Sequence, residues 1–240
     1  MSDLLYKNYL FSNSEFMVLS AMVGMEKIHI ISEKTSKQID KAELNQIIFQ
    51  LYQKEILQWN NNAYALKPEI GLLFREMKRA KKELQVYSEK SGSPLLCFWG
   101  NSTVITELSG NDREVIKVHG LQNRELFTEL HDREILPDGN RQEIYDLFRE
   151  ENVGKGNILI TGYSKFLQNG SIDHKELRGL LQKYDELSAI ITVYDRKSEK
   201  DQNIIFIMDY GICDAISYLK NGSICTDYYT VDNLYRLLML

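Results

Sequence analysis

The sequence predicts an α+β protein: a winged-helix-like N-terminal module, a long connecting helix, and a C-terminal, mainly antiparallel sheet with helices. Three observations carry this. Residues 44–69, LNQIIFQLYQKEILQWNNNAYALKPE, run as a helix, a turn and two short strands around an Asn-rich tip, the order of a recognition helix and its wing. Beyond Pro68 the apolar residues recur at helical spacing. From Ser93 the texture changes to short β-branched and aromatic runs broken by polar turns.

The elements follow in order. Ser12 and Glu15 have capping-box spacing, and Phe16, Leu19, Met22 and Val23 then recur on one helical face. An apolar patch at 28–31 reads as a small strand. Asp40 and Glu43 offer a second capping box, opening a helix whose expected buried stripe is Leu44, Ile47, Ile48 and Leu51 with Tyr52. Residues 57–60 and 63–66 are hairpin strands, with Asn61 and Asn62 suited to positive φ at the turn. Pro68 fits the first turn of a helix expected to run to about Tyr87, with Ile70, Leu73, Met77, Ala80 and Leu84 on one stripe. Residues 95–100, 103–108 and 114–118 form an expected meander, followed by helices near 121–131 and 141–151. Residues 152–172 fit either strand or irregular helix. Asp173 and Glu176 cap a helix to about Leu187, then strands at 189–194, 204–210, 215–219 and 224–229 precede a terminal helix at 231–240. Strands followed by helix thus occur twice. The expected division is 1–88 for the winged-helix-like module with its connecting helix and 89–240 for the sheet domain, packed as one body.

Bulk properties narrow the function. The chain has 240 residues, 43% of them hydrophobic and 26% charged, the composition of an ordinary globular protein. No apolar run approaches the roughly 20 residues that span a bilayer, and the N-terminus lacks the pattern of a secretory signal, so membrane insertion is not expected and a cytoplasmic location is. Cys97, Cys213 and Cys225 have no close metal-ligand spacing and read as reduced core thiols. Residues 1–88 carry a formal charge of +2 and the remainder −7. A dedicated nucleic-acid binder usually shows a basic domain, so nucleic acid is a poor partner.

Motifs for chemistry fail where their mechanism resides. Gly154-Lys155-Gly156 evokes a phosphate-binding loop, but Arg149 stands where the first glycine belongs and Gly156 where Ser or Thr belongs. Gly162-Tyr163-Ser164-Lys165 begins like a nucleophile elbow and ends on Phe166 in place of glycine. His29, His119, His131 and His174 are scattered. No catalytic, cofactor-binding or metal-ligating residue is predicted. For DNA, the second helix offers only Lys41 and Lys54 among its outward positions, and the Asn60–Asn62 wing tip is uncharged; most DNA affinity comes from phosphate neutralisation. Interaction candidates are Arg75, Lys78, Arg79 and Lys82, clustered opposite the apolar stripe of the connecting helix, together with Trp59, Tyr64 and Trp99. The basic cluster reads first as a solvated helix face and second as a docking surface for an acidic partner. Trp59 and Tyr64 read first as hairpin core and second as an exposed aromatic spot.

The succession of LYQKEILQWNNNAYALKPE, the helix IGLLFREMKRAKKELQVY, the meander PLLCFWGNSTVITEL and the final VDNLYRLLML resembles the EsaE-like cytosolic chaperones of type VII secretion, and more distantly the EspG family. The resemblance lies in order and texture and includes no binding signature. It implies a non-enzymatic chaperone and adaptor that holds helical-hairpin secretion substrates and hands them to the secretion ATPase. Leu95, Phe98 and Trp99 with Leu234, Leu237 and Leu238 would then offer an apolar groove for a client helix. The alternative is a one-component transcription regulator, with residues 1–88 on DNA and the sheet domain sensing a ligand.

Overall fold

The computed structural model describes residues 7–25, 39–90, 94–109, 115–137, 139, 174–211, 213–220 and 223–239. In chain order the described elements begin with β1 (Tyr9–Ser12), α1 (Asn13–Met22), α2 (Lys41–Gln53), the hairpin β2 (Leu57–Asn60) and β3 (Ala63–Leu66), and α3 (Pro68–Arg79). Next come β4 (Lys82–Tyr87), β5 (Leu95–Trp99), β6 (Thr103–Ser109), β7 (Val115–Leu121) and α4 (Glu125–Asp132). The chain then gives α5 (His174–Lys183), β8 (Leu187–Asp195), β9 (Lys200–Asp209), β10 (Asp214–Lys220), β11 (Ser223–Tyr228) and α6 (Val231–Met239). The fold is α+β, and every registered strand pair is antiparallel. The expected strand at 28–31, the expected helix at 141–151 and the ambiguous stretch 152–172 lie outside the described residues.

Two compact units divide the chain, each discontinuous in sequence: residues 1–81 with 96–123, and residues 82–95 with 124–240. The expected boundary at 88 and 89 falls inside the 82–95 segment of the second unit.

In the first unit the strand order is β1-β7-β6-β5, with Phe11 opposite Ile116 and Phe98 opposite Val104. Helices α1, α2 and α3 close a core of Phe16, Leu19, Leu51, Leu57, Phe74 and Val118 among others. The capping box of α1 is complete: Glu15 N–H donates to Ser12 Oγ at 3.2 Å, and Ser12 N–H donates to Glu15 Oε2 at 2.9 Å. The other carboxylate oxygen of buried Glu15 takes Lys54 Nζ at 2.6 Å, tying the start of α1 to the end of α2. Asp40 Oδ1 caps α2 by accepting from Ala42 N–H and Glu43 N–H. The expected stripe of α2 is narrower than its spacing implies: Ile47 and Leu51 are buried, whereas Leu44 and Tyr52 are exposed. Asn61 and Asn62 do take positive φ, 48° and 61°, at the tip of the hairpin.

The connecting helix is the principal correction. It stops at Arg79, Ala80 adopts φ −54° and ψ 135°, and residues 82–87 form β4. Leu84 fits both readings, four residues beyond Ala80 on a helix and two before Val86 on a strand. What decides is pairing: Leu84 lies opposite Val193 and Val86 opposite Ile191. Helix formation there would leave β8 without these main-chain partners, and unpaired buried backbone groups are costly.

In the second unit the strand order is β4-β8-β9-β10-β11. Tyr87, Leu181, Ile190, Phe206 and Met208 share one core cluster. Glu83 is buried and accepts from Arg196 Nε at 2.9 Å. Two helix boundaries also shift from expectation. Leu121 ends β7 opposite Thr103, so α4 begins only at Glu125, and Leu187 begins β8 after α5 has ended at Lys183. On α6, Leu234 and Leu238 are buried as expected, and Leu237 is half-buried.

A candidate interaction surface

The most distinctive surface lies in the first unit, where the hairpin leaves the core. Leu57 and Leu66 are opposite one another at its base, Leu57 buried and Leu66 packed against the core. Side chains two residues further along a strand share that face, which places Trp59 and Tyr64 as the next pair outward. There the core has ended: Trp59 is 57% and Tyr64 37% exposed. Their rings meet edge to face at 4.9 Å, and Tyr52 from the last turn of α2 meets Tyr64 at 5.6 Å. This corrects the preference for core burial of the pair; a four-residue strand has an inner face only two residues long beneath its tip.

Beside the aromatic cluster runs a groove of about 670 Å³, walled by the end of α1, strand β3 and helix α3. Its apolar lining includes Met22, Val23, Tyr64 and Leu66, and its charged lining is Arg75, Lys78 and Arg79. The α1 wall is shaped by a helix stop. Gly24, at φ 71°, allows Gly24 N–H to donate to the Ala21 carbonyl and Met25 N–H to the Ser20 carbonyl. Met25 thereby turns into the core while Met22 stays outside. Lys78 Nζ donates to the Val23 carbonyl at 2.7 Å, anchoring α3 to the same turn. A Cβ on Gly71 would come within 3.1 Å of the Arg75 guanidinium, so the absent side chain lets Arg75 lie along the helix. Arg79 is exposed, with Glu76 Oε1 at 4.0 Å.

Two sequence candidates lie elsewhere. Lys82 is not on the α3 face; it belongs to β4, and its Nζ donates to the Leu238 carbonyl at 2.8 Å, holding the end of α6. Burial pushes the Lys82 ammonium pKa down, against an opposing upward pull from Asp195. Trp99 is an interior residue of β5, only 4% exposed, and its carbonyl accepts from Lys81 N–H. Leu95 and Phe98 are likewise buried, as are Leu234 and Leu238. Five of the six residues of the expected client groove are therefore buried, and Leu237 is half-buried, so these side chains do not present an open apolar groove.

The structure thus gathers Trp59, Tyr64, Arg75, Lys78 and Arg79 and leaves out Lys82 and Trp99. Missed by the sequence reading were Met22, Val23 and Leu66 of the groove and Tyr52 of the aromatic cluster. Met22 and Tyr52 sat on the predicted core stripes; the signal against them was their place in the last helical turn, where Gly24 and the hairpin redirect the chain.

A second depression, about 420 Å³, lies in the second unit and is lined by Lys90, His131, Glu134, Asp185 and Asp209 among others. Its Lys90–Glu134 ion pair, 2.8 Å, is exposed, and Lys90 holds the Glu134 carboxyl below its ordinary range. Among the described residues no group of three or more His, Cys, Asp or Glu is placed to hold a metal. Residues 149–156 and 162–166 lie outside the described residues. Among the described helices none is long and apolar enough to cross a membrane.

No protein-family model and no curated protein sequence matches the chain. Among solved structures the chain is similar to the Mycobacterium tuberculosis type VII secretion system chaperone EspG5, solved in complex with the PE25-PPE41 dimer. The superposition has a TM-score of 0.50 at 11% identity and covers 97% of this chain and 95% of that one. The fold is EspG-like.

Proposed function

We propose that the protein is a non-enzymatic cytoplasmic chaperone and adaptor that binds helical-hairpin type VII secretion substrates and delivers them to the secretion ATPase. The observation that carries this reading is the fold likeness, which runs over nearly all of both chains to a chaperone solved with its bound dimer. The order α1, α2, hairpin supports a winged-helix-like N-terminal module, and the order of segments supports kinship with the EsaE-like chaperones in particular. In this reading the module serves protein contacts, since its hairpin tip is Asn60, Asn61 and Asn62 and offers phosphate no charge. The sheet and helices of residues 89–240 hold the client.

The test is co-expression with a small helical-hairpin substrate encoded at the same locus. A stable complex by size exclusion is expected, with the client retained when Arg75 and Arg79 are both changed to glutamate. No complex with any substrate of the locus would sink the assignment. Nanomolar binding to duplexes from the native genome at physiological salt, with a steep salt slope, would support the regulator instead. No ATP or ester turnover dependent on Lys155 or Ser164 is expected.

A further inference from the structure

We propose that the groove in the first unit docks an acidic amphipathic helix of a protein partner, a function separate from client binding and independent of the chaperone reading. The chain has a formal charge of −5, yet among its described residues the groove is lined by three cations and no carboxylate. Segregated charge of this kind selects a partner of the opposite sign and speeds encounter with it.

Spacing then selects a helix. Arg75, Lys78 and Arg79 stand at positions i, i+3 and i+4 of α3, so they form one ridge spanning about one helical turn, near 6 Å. A helix laid along α3 presents carboxylates at the same interval. Lys78 is already held to the Val23 carbonyl and contributes chiefly field; Arg75 and Arg79 are the exposed partners for carboxylates. Arginine suits this role because its planar fork donates to two carboxylate oxygens at once.

The apolar half of the recognition is adjacent. Met22, Val23 and Leu66 line the groove, and Tyr64 joins it to Trp59 and Tyr52. Exposed clustered aromatics beside Arg are the residue types that dominate binding energy at interfaces. The partner helix is accordingly two-sided, with Asp or Glu along one edge and Leu or Phe along the next. The segment 26–38 of this chain carries three Lys against two Glu and so does not supply the acidic edge. The neutral Asn tip of the hairpin disfavours a nucleic acid, which needs many phosphate contacts.

The experiment is a phage selection of helix-forming peptides about five turns long on the intact chain. It is followed by fluorescence anisotropy with the recovered peptide labelled with fluorescein. Recovered sequences should carry Asp or Glu at i and i+4 along one edge with Leu or Phe beside it. The double variant Arg75→Glu/Arg79→Glu should weaken binding about tenfold or more, and Trp59→Ser/Tyr64→Ser should do likewise. Lys90→Glu, in the second unit, should leave it unchanged. Circular dichroism of each variant controls for folding, and Arg75→Gln/Arg79→Gln is the milder substitute if the reversal unfolds. Failure to recover peptides, recovery of basic or uncharged ones, or insensitivity to both double variants overturns the proposal. So does displacement of the peptide by phosphatidylserine–phosphatidylcholine vesicles or duplex DNA at lower concentration than unlabelled peptide. Because the assay contains no secretion substrate, its result stands apart from that of the co-expression test.

Discussion

Glu15 shows how one side chain can serve three elements. Its two carboxylate oxygens receive the Ser12 amide and the Lys54 ammonium, joining β1, α1 and the end of α2. Lys54 is half exposed while Glu15 is buried, so water screens the pair from one side and the amide bond carries more of its value. Glu15→Ala should lower unfolding free energy by about 2 kcal/mol, read from chemical denaturation; a loss below about 0.5 kcal/mol would mean that the cap is dispensable. Tyr210 makes a separate, pH-dependent prediction. Burial, with Glu186 and Cys213 adding to it, pushes its phenol up to about 12, and its hydroxyl donates to Met208 Sδ. The unfolded chain therefore releases this proton near pH 10 while the native chain keeps it until about pH 12. Fewer protons on the unfolded state means that stability falls as pH rises through that window. Tyr210→Phe should fall less steeply between these limits in thermal melts; equal slopes would show that the phenol is not shielded.

Helix ends repeat one device. Helices α1, α2 and α4 each stop with paired bonds from the two residues past the cap, at Gly24, Glu55 and Glu134 with φ of 71°, 57° and 55°. Glycine meets this requirement once; the two glutamates bear the crowding that a Cβ suffers in the left-handed region. Glu55→Gly should therefore raise stability by about 0.5–1 kcal/mol, the steric relief exceeding the entropy that glycine adds to the unfolded chain. The lost ion pair to Lys67 is exposed and contributes little. Denaturant midpoints of wild type and variant decide this, and a destabilised Glu55→Gly would contradict the left-handed assignment. Strand β4 teaches the opposite lesson about elements. Residues 82–87 continue a helical stripe well enough to be read as helix, and partner strand β8 overrides that pattern.

Across the whole molecule the three cysteines test which strands are interior. Cys97 in β5 and Cys213 before β10 are buried, and Cys225 in β11 is half-buried; none of the three forms a disulfide. A bulky thiol reagent needs an accessible thiolate. Native protein should release one equivalent quickly, from Cys225, and three only in denaturant. Rapid native labelling of Cys97, located by peptide mapping, would contradict the interior placement of β5. Each unit has its own buried cluster, and the first unit also retains large side chains outside its core, Phe49, Trp59 and Tyr64 among them. That surplus of exposed aromatic surface is where interaction chemistry is expected.

Local pattern alone determined the α+β class, the capping box of α1, the Asp40 cap of α2, the Asn61–Asn62 turn, the Pro68 helix start and most strands of both meanders. These depend on neighbours within a few residues, where spacing and backbone preference act directly. Tertiary structure decided the rest. It placed residues 82–87 in a strand, moved Lys82 from a supposed basic face to the end of α6, and buried Trp99 while exposing Trp59. Periodicity shows that a residue is apolar on a regular face but not how far that face extends before the core ends. The groove became visible only there, because Met22, Tyr64 and Arg75 lie on three elements whose proximity is set by packing between distant segments.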